Sequence, residues 1–159
     1  MFSLFRTCPG NRPLPLCRSG VGWRWGLNEF GKRLRFAFRN FPLREIHPHA
    51  EAAAETAEFA ATHGKFWEMH DLIFENQSSL SEQMLGDLAH RLTLDRPALK
   101  DALGSGAFAE RVQRDFSGGV RSGVNGTPTF FINSQRHDGD FERQTLLQAI
   151  QTIIHNHNE

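Results

Sequence analysis

The fold of this chain is decided by one stretch, Gly123-Val124-Asn125-Gly126-Thr127-Pro128-Thr129-Phe130-Phe131-Ile132-Asn133. Its Asn125-Gly126 pair is a turn signal, and the apolar run that follows is typical of a short β-strand. Pro128 stands at the start of that run, where the missing N–H of proline costs no hydrogen bond of the sheet. The stretch therefore predicts a loop that leads through Pro128 into a buried strand.

The bond ahead of Pro128 has two possible geometries. A cis bond costs about 0.5–1 kcal/mol ahead of proline, against roughly 2.5–4 kcal/mol ahead of other residues. A trans bond would make an ordinary loop that enters a strand. A cis Thr127–Pro128 bond would turn the chain sharply and leave the backbone from Val124 to Thr127 facing outward, where it could hydrogen-bond an extended peptide. Residue chemistry alone leaves both geometries open.

Four stretches resemble the DsbA-like thiol–disulfide oxidoreductase family in order and spacing, from about residue 29 to the C-terminus. They are Leu34-Arg35-Phe36-Ala37-Phe38-Arg39-Asn40-Phe41-Pro42-Leu43, His47-Pro48-His49-Ala50, Gly64-Lys65-Phe66-Trp67-Glu68-Met69-His70-Asp71 and Gly126-Thr127-Pro128-Thr129-Phe130-Phe131-Ile132-Asn133. The resemblance implies an α/β fold of the thioredoxin type over residues 29–159. It also implies a helical insertion, residues 48–118, between a strand near 33–39 and the Pro128 strand.

The resemblance also implies a site. In the family the proline loop lies against the reactive cysteine, and the residue before the proline meets the substrate. If this chain has the family's arrangement, the bond ahead of Pro128 is cis and the substrate-binding residues are Val124, Gly126, Thr127 and Pro128. The implied partners are protein or peptide thiols and disulfides. No cofactor is implied.

The family's reactive Cys-x-x-Cys does not occur in this chain, whose two cysteines are Cys8 and Cys17. In one register Cys8-Pro9 begins the motif and Asn11 replaces its second cysteine. In the other register Cys17 lies within about one residue of the position of the motif's second cysteine. A helix after the thiol would lower its pKa, but frequent prolines and glycines oppose a helix here. Cys8 and Cys17 are thus the candidate catalytic residues. The alternatives are that both are free thiols or that they form a disulfide within this loop.

Residues 1–28 differ in character from the rest of the chain. Residues 1–27 contain four arginines and no acidic residue, and proline and glycine interrupt every helical period. A short strand is expected at residues 2–5, and the remainder is expected to be irregular. A diverged or aberrant start, with the authentic motif upstream, is a further interpretation. No secretory signal is evident, which favours a cytoplasmic location.

Composition excludes several classes of function. The net charge of zero over 159 residues argues against nucleic acid and membrane surfaces as partners, and no apolar run reaches the length of a membrane span. The pairs His47/His49 and His63/His70 are candidate metal ligands, but a metal site needs three or four converging ligands, and His47 and His49 lie where polar side chains commonly cap a helix. No metal site is therefore predicted.

Local patterns predict the other elements. A strand alternates over residues 33–39, and helices are expected over residues 50–62, 65–77, 81–92, 95–104 and 107–116. In the second of these helices the period of 3.6 residues groups Phe66, Met69, Ile73 and Phe74 on one apolar face. The last of these helices is expected to end at Gly118-Gly119. A hairpin over residues 133–137 and a helix from Asp140 to about His155 complete the chain, with Phe141 among the inward residues.

Two functions remain. One is thiol–disulfide exchange, implied by the resemblance. The other is a thioredoxin-fold module without redox activity that holds extended polypeptide at the same loop by strand addition.

Overall fold

The computed structural model describes the backbone of residues 2–7 and the whole of residues 29–156. The described residues divide into two units. One contains residues 40–118 and is helical; the other contains residues 2–7, 29–39 and 119–156 and is built on a β-sheet. We call them the helical unit and the sheet unit.

The sheet unit contains four strands: β1 (Phe2–Thr7), β2 (Leu34–Arg39), β3 (Thr129–Ile132) and β4 (Gln135–His137). Their order across the sheet is β2-β1-β3-β4. Asn133 and Ser134, both with positive φ (48° and 72°), form the two-residue turn between β3 and β4. Helix α6 (Arg143–Asn156) contacts β1 and β3, and it buries Leu146, Ile150 and Ile154. The α/β class predicted from the sequence is therefore confirmed.

The central strand β1 runs antiparallel to β2 and parallel to β3. A strand–helix–strand crossover would instead make the first two strands parallel. In this register Phe2 pairs with Thr129, whereas Thr7 pairs with Leu34. The strand expected at residues 2–5 is thus longer than predicted, and Thr7 lies at the opposite end of β1 from Thr129.

The helical unit contains α1 (Ala50–Thr62), α2 (Phe66–Glu75), α3 (Glu82–Arg91), α4 (Arg96–Ser105) and most of α5 (Ala109–Arg121). These helices lie between β2 and β3 in the chain, as expected of the insertion. Side chains that are small or apolar form its core: Ala53, Ala57, Phe59, Ala60, Met69, Ile73, Leu85, Leu88, Ala89, Leu94 and Leu99.

Sequence signals located most of the helix boundaries. Helix α1 has the predicted bounds, and the Ser81 hydroxyl accepts a hydrogen bond from Met84 N–H at 3.1 Å at the start of α3. Gly106, with φ of 64°, ends α4. Short 3₁₀ turns at Gly31–Arg33 and Gln77–Ser79 were not predicted.

Three sequence-based expectations are wrong. Helix α5 does not end at Gly118-Gly119 but continues to Arg121. Phe74, grouped with the core face of α2, is 37% exposed. Phe141 precedes α6 and is 48% exposed, although its ring lies 5.6 Å from that of Phe130. The continuation of α5 has a physical reason. The pair Gly118-Gly119 destabilises a helix by only about 2 kcal/mol, and packing of the other residues of α5 outweighs this cost.

Candidate functional site

The candidate site is the Pro128 loop, which we define as residues 123–129, between the end of α5 and the start of β3. Its first residue, Gly123, has φ of 78°, a left-handed conformation that glycine adopts without strain. Val124 N–H then donates to the Gly119 carbonyl at 2.9 Å. This bond closes the last turn of α5 in the manner of a Schellman cap, so the loop leaves the helix in a fixed direction.

The other end of the loop is held by Thr129. Its hydroxyl donates a hydrogen bond to the Gly126 carbonyl at 2.7 Å, and the residue is 3% exposed. Thr129 is also the first residue of β3, which pairs with β1 on one side and β4 on the other. The loop is therefore attached at this end to the middle of the sheet.

A third attachment comes from Arg136 on β4. Its Nη1 donates to the Gly123 carbonyl at 2.6 Å, and its Nη2 donates to Asn125 Oδ1 at 3.1 Å. Its Nε lies 3.1 Å from Asp138 Oδ1. Arg136 thus joins the edge of the sheet to the first half of the loop.

Between these attachments, Thr127 and Pro128 are exposed and joined by a cis peptide bond. The structure therefore has the geometry that the resemblance favoured. Within the described part of the chain, no hydrogen bond uses the N–H or C=O of Thr127. A backbone donor and acceptor at the surface can pair with another extended chain.

The four residues predicted to bind substrate differ in their surroundings. Val124 is 6% exposed, and its N–H is already bonded to Gly119. Gly126 is half-buried, and its carbonyl accepts from Thr129. Thr127 and Pro128 are the exposed members. The arrangement thus concentrates the outward-facing backbone at Thr127, rather than spreading it over Val124 to Thr127.

The predicted catalytic residues Cys8 and Cys17 lie outside the described residues. The nearest described residue, Thr7, is the last of β1. A family-like thiol after the central strand requires that strand to end beside the proline loop. In this structure it is the first residue of β1, Phe2, that pairs with Thr129.

Glu55 and His70 are buried ionisable residues of the helical unit. Burial, with a contribution from neighbouring Glu51, raises the pKa of Glu55, and the Phe108 amide and Arg44 oppose this shift. Burial lowers the pKa of His70, whose Nδ1 lies 3.0 Å from Asp71 Oδ1. Within residues 2–7 and 29–156, no three His, Cys, Asp or Glu side chains are grouped to hold a metal ion.

Sequence reasoning missed Arg136 and the hydroxyl of Thr129 as parts of this site. Thr129 lies within residues 123–133, and its position directly after Pro128 was the sequence signal that could have assigned it to the site. Arg136 carried no local signal, because Gly123 and Asn125 precede it by 13 and 11 residues. Only the β3–β4 hairpin brings them together.

Comparison with known families decides the classification. Residues 28–151 match the family model described as DSBA-like thioredoxin domain. The chain belongs to the DSBA-like thioredoxin domain family. The matched region contains the Pro128 loop and all of β2 to β4, and it begins after Cys17.

Relatives of this DSBA-like domain carry an unexpected name. It is 41% identical over 117 residues to a protein named Na(+)/H(+) antiporter NhaA 1 of Salinispora arenicola. The match covers 74% of this chain and 18% of the relative. It is 40% identical over 121 residues to Na(+)/H(+) antiporter NhaA 3 of Salinispora tropica, covering 76% of this chain and 19% of that relative. A Herminiimonas arsenicoxydans protein named Na(+)/H(+) antiporter NhaA is 37% identical over 122 residues, or 77% of this chain and 19% of the relative.

The DSBA-like domain thus spans about a fifth of the length of these relatives. No solved structure matches the chain. Among the helices described in residues 29–156, none has both the length and the hydrophobicity to cross a bilayer.

Proposed function

We propose that this DSBA-like domain binds an extended polypeptide at the Pro128 loop, through main-chain hydrogen bonds to Thr127. The observation that carries the proposal is the exposed Thr127, whose N–H and C=O have no hydrogen bond to the described residues. Before Thr127, the N–H of Val124 donates to the Gly119 carbonyl, and the Thr129 hydroxyl donates across Thr127 and Pro128 to the Gly126 carbonyl. A fixed donor and acceptor pair is the recognition element of strand addition.

The chemistry favours a polypeptide over other ligands. A peptide group has one donor and one acceptor, which matches the two groups that Thr127 presents. Main-chain pairing depends little on the side chains of the bound segment, so the expected ligand is an unfolded or extended region of varied sequence. Membership of the DSBA-like family is consistent with a protein ligand.

Binding is tested with reduced, carbamidomethylated α-lactalbumin, an unfolded chain without free thiols. A ¹H–¹⁵N titration of the labelled domain should move the Thr127 amide resonance most, with smaller changes at Gly126 and Thr129. Thr127→Ala keeps both backbone groups and should bind as the wild type does. The proposal is contradicted if the unfolded chain leaves the loop resonances in place at millimolar concentration.

A second candidate function is thiol–disulfide exchange, which family membership favours. The thiolate of Cys8 or Cys17 would attack a substrate disulfide, form a mixed disulfide and release one substrate thiolate. The other cysteine would then attack the mixed disulfide, release the second substrate thiol and leave a Cys8–Cys17 disulfide. A dithiol such as dithiothreitol would reduce that disulfide and complete the cycle.

Insulin reduction distinguishes the two functions. A catalytic domain accelerates insulin precipitation by dithiothreitol, and Cys8→Ser and Cys17→Ser each abolish the acceleration. A rate equal to that of dithiothreitol alone would remove the redox function and leave the binding function untouched. The titration above uses an alkylated ligand, so its result does not depend on either cysteine.

The names of the relatives suggest a partner. Because about four fifths of each relative lies outside the match, we propose that this domain acts together with a membrane protein of the Na(+)/H(+) antiporter kind. Co-expression with the Salinispora arenicola relative, shortened by the region that matches this chain, should give co-purification in detergent. Purification of the two proteins separately would contradict this partner.

A further inference from the structure

Arg136 uses all three nitrogens of its guanidinium within the sheet unit. Two of them donate to the Pro128 loop, at 2.6 Å to the Gly123 carbonyl and at 3.1 Å to Asn125 Oδ1. The third, Nε, lies 3.1 Å from Oδ1 of Asp138, the residue that follows β4. The guanidinium therefore bridges the β3–β4 hairpin and the loop.

The two loop acceptors require the shape of arginine. A guanidinium is planar and presents its donors as a rigid fork, so it can bond two acceptors at once. A lysine ammonium in this place is a point charge, and it can satisfy both acceptors only with poorer geometry. The expected difference between Arg136 and Lys at this position therefore reports on geometry rather than on charge.

We propose that Arg136 is a positioning residue that holds the Pro128 loop in its peptide-binding conformation. This inference rests on the proposed binding of polypeptide at Thr127. Arg136 fixes Gly123 and Asn125, and Thr129 fixes Gly126, so the residues before Thr127 are ordered before a ligand arrives. Binding then does not have to order these residues, which lowers its entropic cost.

Arg136 is placed to affect the loop more than the stability of the fold. It lies on a three-residue edge strand, and its side chain is 37% exposed. Its two loop acceptors are exposed residues, and neither belongs to the sheet. Removal of the guanidinium should therefore release the loop and leave the buried part of β3 packed.

Affinity for the alkylated α-lactalbumin tests the proposal. Arg136→Gln should bind about tenfold more weakly, the effect of losing two hydrogen bonds of ordinary net strength. The affinity of Arg136→Lys should lie between that of the wild type and that of Arg136→Gln. Asp138→Asn keeps both loop bonds and should change the affinity less than twofold.

The matched control is Arg114→Gln. Arg114 is also an exposed arginine beside an acidic residue, with Nε 3.9 Å from Glu110 Oε1, but it lies on α5 in the helical unit. This variant should bind the unfolded chain as the wild type does. A tenfold loss in Arg114→Gln would show that the effect of Arg136→Gln reflects charge alone and would overturn the proposal.

A second measurement needs no ligand. In Arg136→Gln, the amides of Asn125, Gly126 and Thr127 should shift and show increased ps–ns motion in ¹⁵N relaxation, while those of residues 130–132 remain as in the wild type. Unchanged loop amides overturn the role of Arg136, whether or not the protein binds polypeptide. Shifted loop amides in a protein that never binds would support the positioning role and remove the proposed function.

Discussion

The core of the helical unit and the Pro128 loop are held by different forces. Side chains such as Met69, Leu85 and Ala89 are fully buried, and their contribution is apolar packing without preferred direction. The loop is held by a few directional hydrogen bonds, of 2.9, 2.7 and 2.6 Å, around a residue whose own backbone groups stay unbonded in the described chain. We therefore expect stability and the proposed polypeptide binding to depend on different residues, so that each can be changed separately.

The largest expected effect is in the helical core. Leu85→Ala removes a side chain with 0% exposure and should lower the free energy of unfolding by about 3 kcal/mol. Urea denaturation measures the loss, and the folded fraction should still bind the alkylated α-lactalbumin with unchanged affinity. Ile46→Ala, at a residue that is 65% exposed, should cost less than about 0.5 kcal/mol. A weakened affinity in folded Leu85→Ala would break the separation between the two regions.

The glycines near the end of α5 should respond in opposite directions. Gly123 has φ of 78° and open space around it, so Gly123→Ala should cost about 1–2 kcal/mol through backbone strain alone. Gly118 lies within the helix, and a Cβ added there would meet no atom of another element within 4 Å, so Gly118→Ala should stabilise by about 0.5–1 kcal/mol. Thermal unfolding of both variants decides where α5 ends. Destabilisation by Gly118→Ala would contradict a helix that continues past it.

A smaller effect on stability, but a clear one on binding, is expected at Thr129. Thr129→Val keeps the side-chain shape and removes the hydroxyl that bonds Gly126, which should cost about 1 kcal/mol. Because Gly126 precedes Thr127, affinity for the unfolded chain should also fall severalfold. Thr152→Val removes a similar bond, to Gln148 on the exposed face of α6, and should leave the affinity unchanged. Equal affinities in the two variants would argue against a fixed loop.

The smallest effect depends on pH and belongs to Glu55. Its pKa in the folded protein is raised, mainly by burial and also by Glu51, so folding favours the protonated form. The stabilisation from this proton is fully present below the ordinary value of about 4.5 and is lost as pH rises through the raised pKa. Compared with Glu55→Gln, the wild type should therefore be relatively more stable at pH 4 than at pH 7. If the urea midpoints of the wild type and Glu55→Gln differ by the same amount at pH 4 and at pH 7, this sign is contradicted.

Much of the fold could be predicted because its signals are local. The alternation of apolar residues near 34–39 and the alanine-rich run with a glycine after it gave β2 and α1 closely. The loop was located from Asn125-Gly126 and Pro128, each of which restricts its own backbone. Periodicity failed at Phe74 and Phe141, since whether an apolar residue at a helix margin is covered depends on its neighbours in space.

Sequence patterns predicted the type and order of most elements and the family, and they located the loop at which binding is proposed. The direction of β1, the end of α5 and the contacts of Arg136 emerge only from the folded structure. Strand direction depends on pairing between segments far apart in the chain, and Arg136 reaches acceptors 11 and 13 residues away through a hairpin. Local conformational preferences are written in neighbouring residues, whereas such contacts exist only after the chain has folded.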